Sequence, residues 1–346
     1  MAEGKPIINN TVLVKQTNVE LVRSVLRRRK TATRAEVASD TGLSVVTSGT
    51  ILNEMLASGE LLPDKMEESN GGRPARRFRY NKDFIQVAGI AISYDLSVKS
   101  LQYIVADAFG EVIEEDRAEY DSIDFSTVDG IIKEIASKYA NLKSVVISIP
   151  GESYDGIVRF CDIKELQGAP LERDLPGRYG ITVNVDGITQ VAAYGYYNSN
   201  PHLQGKSIAV LLAPKDLHLG AGIIVNGQLT KGDKHLAGEV SFIAGGISRE
   251  EALSRIPDRR FLLNSMVTAL TAIISVINPT QIAIYGSAVS ADMYDQIYEK
   301  CNDIVPTVFM PEIKIIPDFE DYFIKGLTGL ALESTNSGLK LVGQEL

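Results

Sequence analysis

Thr33-Arg-Ala-Glu-Val-Ala-Ser-Asp-Thr-Gly-Leu-Ser44, an apolar-periodic run to Gly59, and then Asn70-Gly-Gly-Arg-Pro-Ala-Arg-Arg-Phe-Arg79 form the stretch on which the reading of this chain turns. Thr33 and Glu36 have the Thr-x-x-Glu spacing of a capping box, so a helix starts there. Thr41-Gly42 stops it, because glycine accepts the left-handed backbone of a sharp turn. Ser44 caps the next helix through its hydroxyl. In that second helix Val46, Ile51, Leu52, Met55 and Leu56 make an apolar face, with Val45, Thr47, Ser48 and Thr50 outside it. An earlier helix over Asn18 to Arg29 supplies Val19, Leu21, Val22, Val25 and Leu26 to a three-helix core. Leu61-Leu62-Pro63 and Phe78-Arg79-Tyr80 are expected to pair as strands around Asn70-Gly71-Gly72. Two helices across a tight turn, with a basic hairpin beside them, are the parts of a winged helix-turn-helix that sets one helix in the DNA major groove. The expected DNA contacts are Arg34, Ser44, Val45, Thr47 and Ser48 on the helices, and Arg73, Arg76 and Arg77 on the wing.

The charge distribution supports this. The 346-residue chain is acidic overall, net −9, yet residues 1–82 carry 14 Lys+Arg against 9 Asp+Glu and the remainder 21 against 35. A basic head on an acidic body is the asymmetry of a protein whose head alone meets phosphate. The length has room for two or three domains. The expected division is a head over 1–82, an N-terminal lobe over 83–198 and a C-terminal lobe over 199–346. No run approaches the roughly 20 apolar residues of a membrane span, and no signal-peptide core opens the chain. The expected location is cytoplasmic, with no membrane partner. Cys161 and Cys301 have neither metal nor disulfide spacing and read as buried small residues. His202, His218 and His235 form no metal-binding cluster.

Beyond the head the pattern changes to short β-branched runs. Val87 to Ser93, Leu101 to Asp107 and Glu111 to Ile113 read as an antiparallel meander, followed by a helix over Thr127 to Tyr139. Strands over Lys143 to Ile149 and Ile181 to Val185 come next, the second leading through Asp186 into a helix over Thr189 to Tyr197. The pattern then restarts. Lys206 to Ala213 and Gly220 to Asn226 are strands, and Asn226-Gly227 is a hairpin signal. A helix over Phe261 to Ile277, strands over Gln281 to Tyr285 and Lys314 to Ile316, and a helix near Phe323 to Leu332 complete it. Two similar halves imply a duplicated α/β body with a cleft at the strand C-termini.

Several of these segments together resemble the ROK family of repressors and sugar kinases. They are Gly71-Gly72-Arg73-Pro74, Ile149-Pro150-Gly151, Asp186 before a helix, Gly220-Ala-Gly-Ile-Ile-Val-Asn-Gly227 and Leu236-Ala-Gly-Glu239-Val. The resemblance covers roughly residues 18 to 335. It implies an actin-like, hexokinase-like (ribonuclease H-like) two-lobed body, and the fused head points to the repressor branch. Departures from the family pattern are informative. Ser93-Tyr94-Asp95-Leu96-Ser97 stands where the kinases have a glycine-rich phosphate turn. Lys215-Asp216-Leu217-His218-Leu219 replaces a second such loop, and Gly286-Ser287-Ala288 keeps one glycine of three. Phosphoryl transfer depends on holding phosphates and metal, so no ATP binding, no kinase activity, no catalytic residue and no cofactor are expected. The family's zinc histidine is replaced by Phe242, and the cysteine loop is shortened to Ile243-Ala-Gly-Gly-Ile-Ser-Arg249, so no zinc is expected either. Asp186 matches the family's catalytic aspartate, with Val185 in place of the preceding asparagine. Glu239 matches a glutamate that contacts sugar hydroxyls, and Glu251 falls near another. These three are the expected sugar-binding carboxylates.

The resulting expectation is a sugar-responsive transcriptional repressor that binds an inverted-repeat operator as a homodimer or homotetramer. Two rivals stay open: an active sugar kinase with an appended DNA-binding head, and a constitutive DNA-binding oligomer without a ligand.

Overall fold

The computed structural model describes residues 8–64, 76–95, 98–215, 217–243 and 247–335. Arg73 and the Asn70-Gly-Gly turn, together with Leu96-Ser97, Asp216 and residues 244–246, lie outside the described residues.

The head comprises α1 (Ile8–Arg29), β1 (Thr31–Thr33), α2 (Arg34–Thr41), α3 (Val45–Ala57), β2 (Leu61–Pro63) and β3 (Arg77–Tyr80). The capping box at α2 is complete: Thr33 Oγ1 accepts from the Glu36 N–H at 3.3 Å, and Glu36 Oε2 accepts from the Thr33 N–H at 2.6 Å. Gly42 closes α2 in the left-handed conformation, φ 70°. Ser44 caps α3, its Oγ accepting from the Thr47 N–H at 3.0 Å. β3 pairs antiparallel with β2, Leu61 opposite Tyr80, and with β1 on its other side. α1 starts ten residues before the expected Asn18, and this extension leaves Val12, Leu13 and Val14 exposed.

One expectation in α3 is overturned. Ser48 is 0% exposed and Val46 is 80% exposed. The buried face runs through Ser48, Ile51, Leu52 and Met55, the i, i+3, i+4, i+7 rhythm of one helix side. Val46 lies off that side whatever its hydropathy. Ser48 therefore packs inward and does not face DNA.

The body holds two five-stranded sheets. The first half contributes β4 (Gln86–Asp95), β5 (Val98–Ala106), β6 (Val112–Tyr120), α4 (Phe125–Lys138), β7 (Leu142–Ile149), β8 (Gly151–Tyr154), β9 (Ile157–Cys161), α5 (Leu171–Tyr179), β10 (Thr182–Gly187) and α6 (Ile188–Asn198). The second contributes β11 (Ile208–Leu212), β12 (Gly220–Val225), β13 (Gln228–Leu229), α7 (Arg249–Arg255), α8 (Arg259–Ile277), β14 (Gln281–Tyr285), α9 (Tyr294–Asn302), β15 (Glu312–Ile315) and α10 (Glu320–Glu333). The sheet orders are β10-β7-β4-β5-β6 and β13-β12-β11-β14-β15. In each, three antiparallel strands are followed by two parallel to the first. The two halves thus repeat one topology, as expected from the sequence, with the β8–β9 hairpin as an addition to the first.

α8 amends the membrane expectation. At 19 residues it is long and apolar enough by length and composition to cross a bilayer. Here Leu262, Met266, Leu270 and Ile273 are buried in the core beside the second sheet. Cys161 and Cys301 are both buried.

α10 follows β15 in sequence but packs on the first sheet, where Leu327 lies over Gly89 of β4 and Ser144 Oγ of β7 donates to the Ala331 carbonyl. It also crosses α6 closely enough that a methyl on Gly195 would overlap the Tyr322 carbonyl oxygen, and one on Gly326 the Val191 carbonyl oxygen. Leu332, at the far end of α10, joins Ala108 and Phe109 against the head core of Val22, Leu26, Phe78 and Tyr80. Lys30 pairs with Glu111 at 2.8 Å across the same junction.

Candidate functional site

A cleft of about 290 Å³ separates the two sheets. It lies at the C-terminal ends of parallel strands, where α/β folds place their ligands. The turn after β7 brings Pro150, Gly151 and Glu152 to its wall, and the end of β9 brings Phe160 and Asp162. From the second half come His218, Glu239 and Arg249.

Acidic groups of the first half face cations of the second. Asp186, at the end of β10, is 4% exposed, and Lys231, from the loop after β13, forms an ion pair with its Oδ1. His218 Nδ1 stands 3.8 Å from Asp162 Oδ1, while its Nε2 is 3.0 Å from the Arg249 carbonyl oxygen. The Arg249 guanidinium sits 4.5 Å from the Phe160 ring centre and 4.9 Å from that of Phe242. Arg249 Nη1 donates to Glu239 Oε2 at 3.1 Å and to Ser241 Oγ. The chain's own Lys231 and Arg249 engage the Asp186 and Glu239 carboxylates.

Glu152 is the most perturbed acid of the site. It is 6% exposed, and its Oε1 accepts from Gln190 Nε2 at 2.9 Å. Burial pushes its carboxyl up to about 8; the charges of Glu239 and Asp186 add to this, and the Gln190 hydrogen bond and Lys231 oppose it. Burial also raises the Asp162 carboxyl, against the pull of His218 and Arg249. At neutral pH a protonated Glu152 donates a hydrogen bond, whereas an ionised carboxylate only accepts. The site therefore offers both hydrogen-bonding senses to a polyhydroxy ligand.

The structure brings Asp186 and Glu239 together around Glu152. It does not bring Glu251 there. Glu251 is exposed in the first turn of α7, where its N–H donates to Ser248 Oγ at 3.1 Å. Arg249, two residues earlier, turns into the cleft instead, since positions two apart on a helix point in different directions. Glu152, Asp162, His218, Lys231 and Arg249 escaped the sequence reading as site residues. The only available signal was for Glu152, which directly follows the Pro150-Gly151 turn already singled out.

On the head, Ser44 and Val45 are exposed and Thr47 is half-buried, all at the start of α3. Arg34 Nη2 donates to Asn53 Oδ1 at 3.1 Å. Arg76 is exposed, its guanidinium 5.3 Å from the Phe78 ring centre. Arg77 is half-buried and bonds Thr31 Oγ1 at 3.1 Å and Glu36 Oε1 at 3.3 Å.

No family model matches the chain. It is 24% identical over 250 residues to a putative xylose repressor of Caldicellulosiruptor sp. strain Rt8B.4, a match covering 67% of this chain. It is 25% identical over 246 residues to the xylose repressor of Caldicellulosiruptor bescii, again over 67% of this chain. The chain spans only 60% of the length of these two relatives. Among solved structures it resembles a ROK family transcriptional regulator homologous to the E. coli Mlc protein, with TM-score 0.68 and 17% identity, covering 94% of this chain and all of the other. The duplicated topology and the cleft between the sheets agree with the fold of that ROK family regulator, and the curated relatives that the chain matches are xylose repressors.

Proposed function

We propose that the chain is a DNA-binding transcriptional regulator, acting as a repressor of carbohydrate-related genes and controlled by a sugar or sugar derivative in the cleft, without kinase activity. In this reading the head over 1–82 is a winged helix-turn-helix, and the lobes over 83–198 and 199–346 flank the ligand, with Asp186 and Glu239 as its acceptors. Ser44, Val45 and Thr47 at the start of α3 face the major groove. Arg34, Arg73, Arg76 and Arg77 meet phosphates or the minor groove. A homodimer or homotetramer reads an inverted repeat, because two-fold protein symmetry requires two-fold DNA symmetry.

The observation that carries the proposal is a continuous packed route from cleft to head. α6 begins at the cleft wall with Gly187, Ile188 and Thr189, α10 lies against α6 without a gap, and Leu332 at the end of α10 is packed on the head core. A ligand that changes the cross-cleft pairs acts on the start of α6 and hence on the α10 end under the head. It shifts DNA binding only by its preference for one lobe arrangement, typically ~1–3 kcal/mol. The absence of kinase activity is supported by the side chains of Tyr94, Leu217 and His218 lining the cleft, where a phosphate site needs bare backbone N–H groups.

The test is a gel-shift titration of the full chain on DNA upstream of its own gene, with and without xylose and other pentoses and hexoses, xylose being suggested by the relatives' names. Sequence-selective binding that a sugar shifts supports the proposal. Calorimetric binding of ATP-Mg in the micromolar range would overturn the non-kinase part. DNA binding that no sugar alters, together with no thermal stabilisation by any sugar, would overturn the sensor part.

A further inference from the structure

The cleft has a second wall that a free sugar leaves unused. Leu212 and Tyr285 stand at the ends of β11 and β14 as partners on neighbouring parallel strands. Beyond them the Lys215 N–H donates to Ser287 Oγ at 3.1 Å, tying together the two loops that carry Pro214 and Gly286. Leu212, Pro214 and Tyr285 thus stand together along the cavity, which Leu217, Tyr94 and Ile188 also border. The polar groups form a separate set, linked through Glu239–Arg249, Arg249–Phe160 and Asp162–His218. One cavity of about 290 Å³ therefore has a carboxylate end continuous with an apolar end.

A pyranose carries hydroxyls around most of its ring, and a buried hydroxyl without a partner costs on the order of 1–3 kcal/mol. Hydroxyls pushed against Leu212, Pro214 and Leu217 would find few acceptors. An apolar group there gains its transfer free energy instead. Resting on the reading of the cleft as a sugar site, we infer that its ligand is a glycoside bearing an apolar aglycone, aryl or short alkyl, rather than a free sugar. The sugar meets Glu152, Asp186 and Glu239, and the aglycone meets the wall formed by Leu212, Leu217 and Tyr285.

The experiment is calorimetry on the full chain with matched pairs, methyl and 4-nitrophenyl glycopyranosides of xylose, glucose and galactose, and with 4-nitrophenol alone. In at least one pair the 4-nitrophenyl member should bind about tenfold tighter or more, equivalent to ~1.4 kcal/mol, and 4-nitrophenol alone should not bind at the same concentrations. Leu217→Asp should bring the two affinities of that pair closer together. Equal affinities within every pair would overturn the aglycone inference while leaving the sugar site standing. Binding of 4-nitrophenol as tight as that of its glycosides would overturn the two-ended site. No binding by any member would overturn both this inference and the sugar-site reading beneath it.

Discussion

Replacing Glu152 by glutamine should remove a large part of the pH dependence of this protein's stability. The carboxyl rises from an ordinary 4.5 to about 8 on folding, chiefly because the closed cleft takes it out of water. Folding therefore takes up a proton between those values. The contribution is fully present below about 4.5 and is lost as the pH rises through about 8. The slope across that window is ~1.4 kcal/mol per pH unit, so the wild type should lose about 2–4 kcal/mol relative to Glu152→Gln between pH 5 and pH 8. Glutamine keeps the oxygen that accepts from Gln190 Nε2, so the variant should retain the local geometry. Urea titrations of both proteins at pH 5, 6, 7 and 8, followed by tyrosine fluorescence since the chain has 14 Tyr and no Trp, give the difference directly. Titrating groups that do not interact with Glu152 are common to both proteins and cancel, so the difference reports Glu152 together with its neighbours Glu239, Asp186 and Lys231. A wild-type minus variant difference that stays constant across the four pH values would refute the reasoning, because Glu152 would then ionise as it does in water.

Lys231→Met should destabilise the body by about 3 kcal/mol, because it leaves the buried Asp186 charge unpaired; Asp186→Asn in the same chain should recover much of that loss, and a double-mutant cycle with no coupling would remove the cross-cleft ion pair from the account. Ser48→Ala deletes a buried hydroxyl with no hydrogen-bond partner among the described residues; it should raise stability by about 1 kcal/mol and leave DNA affinity unchanged in a gel shift, whereas lost binding would return Ser48 to the recognition surface. Arg23→Met strips the guanidinium from Glu60, which is buried and also accepts from the Tyr80 hydroxyl at 2.9 Å; the head should lose about 3 kcal/mol, measured by thermal melting, and an unchanged melting temperature would show that the α1–β3 junction does not depend on this pair.

What could be read from the chain follows the range of the forces involved. Thr33, Glu36, Gly42 and Ser44 were legible because caps act within four residues. Asn226-Gly227 was legible for the same reason, with both residues at positive φ in the β12–β13 turn. β6 runs past the expected Ile113 to Tyr120, through the charged Glu114-Glu115-Asp116-Arg117; it is an edge strand, exposed along most of its length, where charged side chains are common. α5 has little local signature, because it carries Pro176 and a polar composition and buries only Leu171 and Leu175. Val46 attracted a core assignment through its hydropathy, but the core side of α3 is set by what α2 packs against. Lys231 lies 45 residues from Asp186 and has no local signature. The raised Glu152 carboxyl is a property of two halves meeting, so no window of sequence contains it.

The return of α10 to the first sheet has a consequence for biosynthesis. Gly89 and Ser144 wait for Leu327 and Ala331, so the first sheet cannot be fully covered until Ala331 has left the ribosome. At ~5–20 residues per second, that leaves an apolar sheet face exposed for ten seconds or more. The head's junction with Leu332 forms at the same late moment. A chain released early by truncation could fold the helices of its head yet would lack the packed element that links them to the cleft. Such a fragment would be expected to bind DNA without answering to a ligand, and to need a chaperone's cover for the sheet it leaves open.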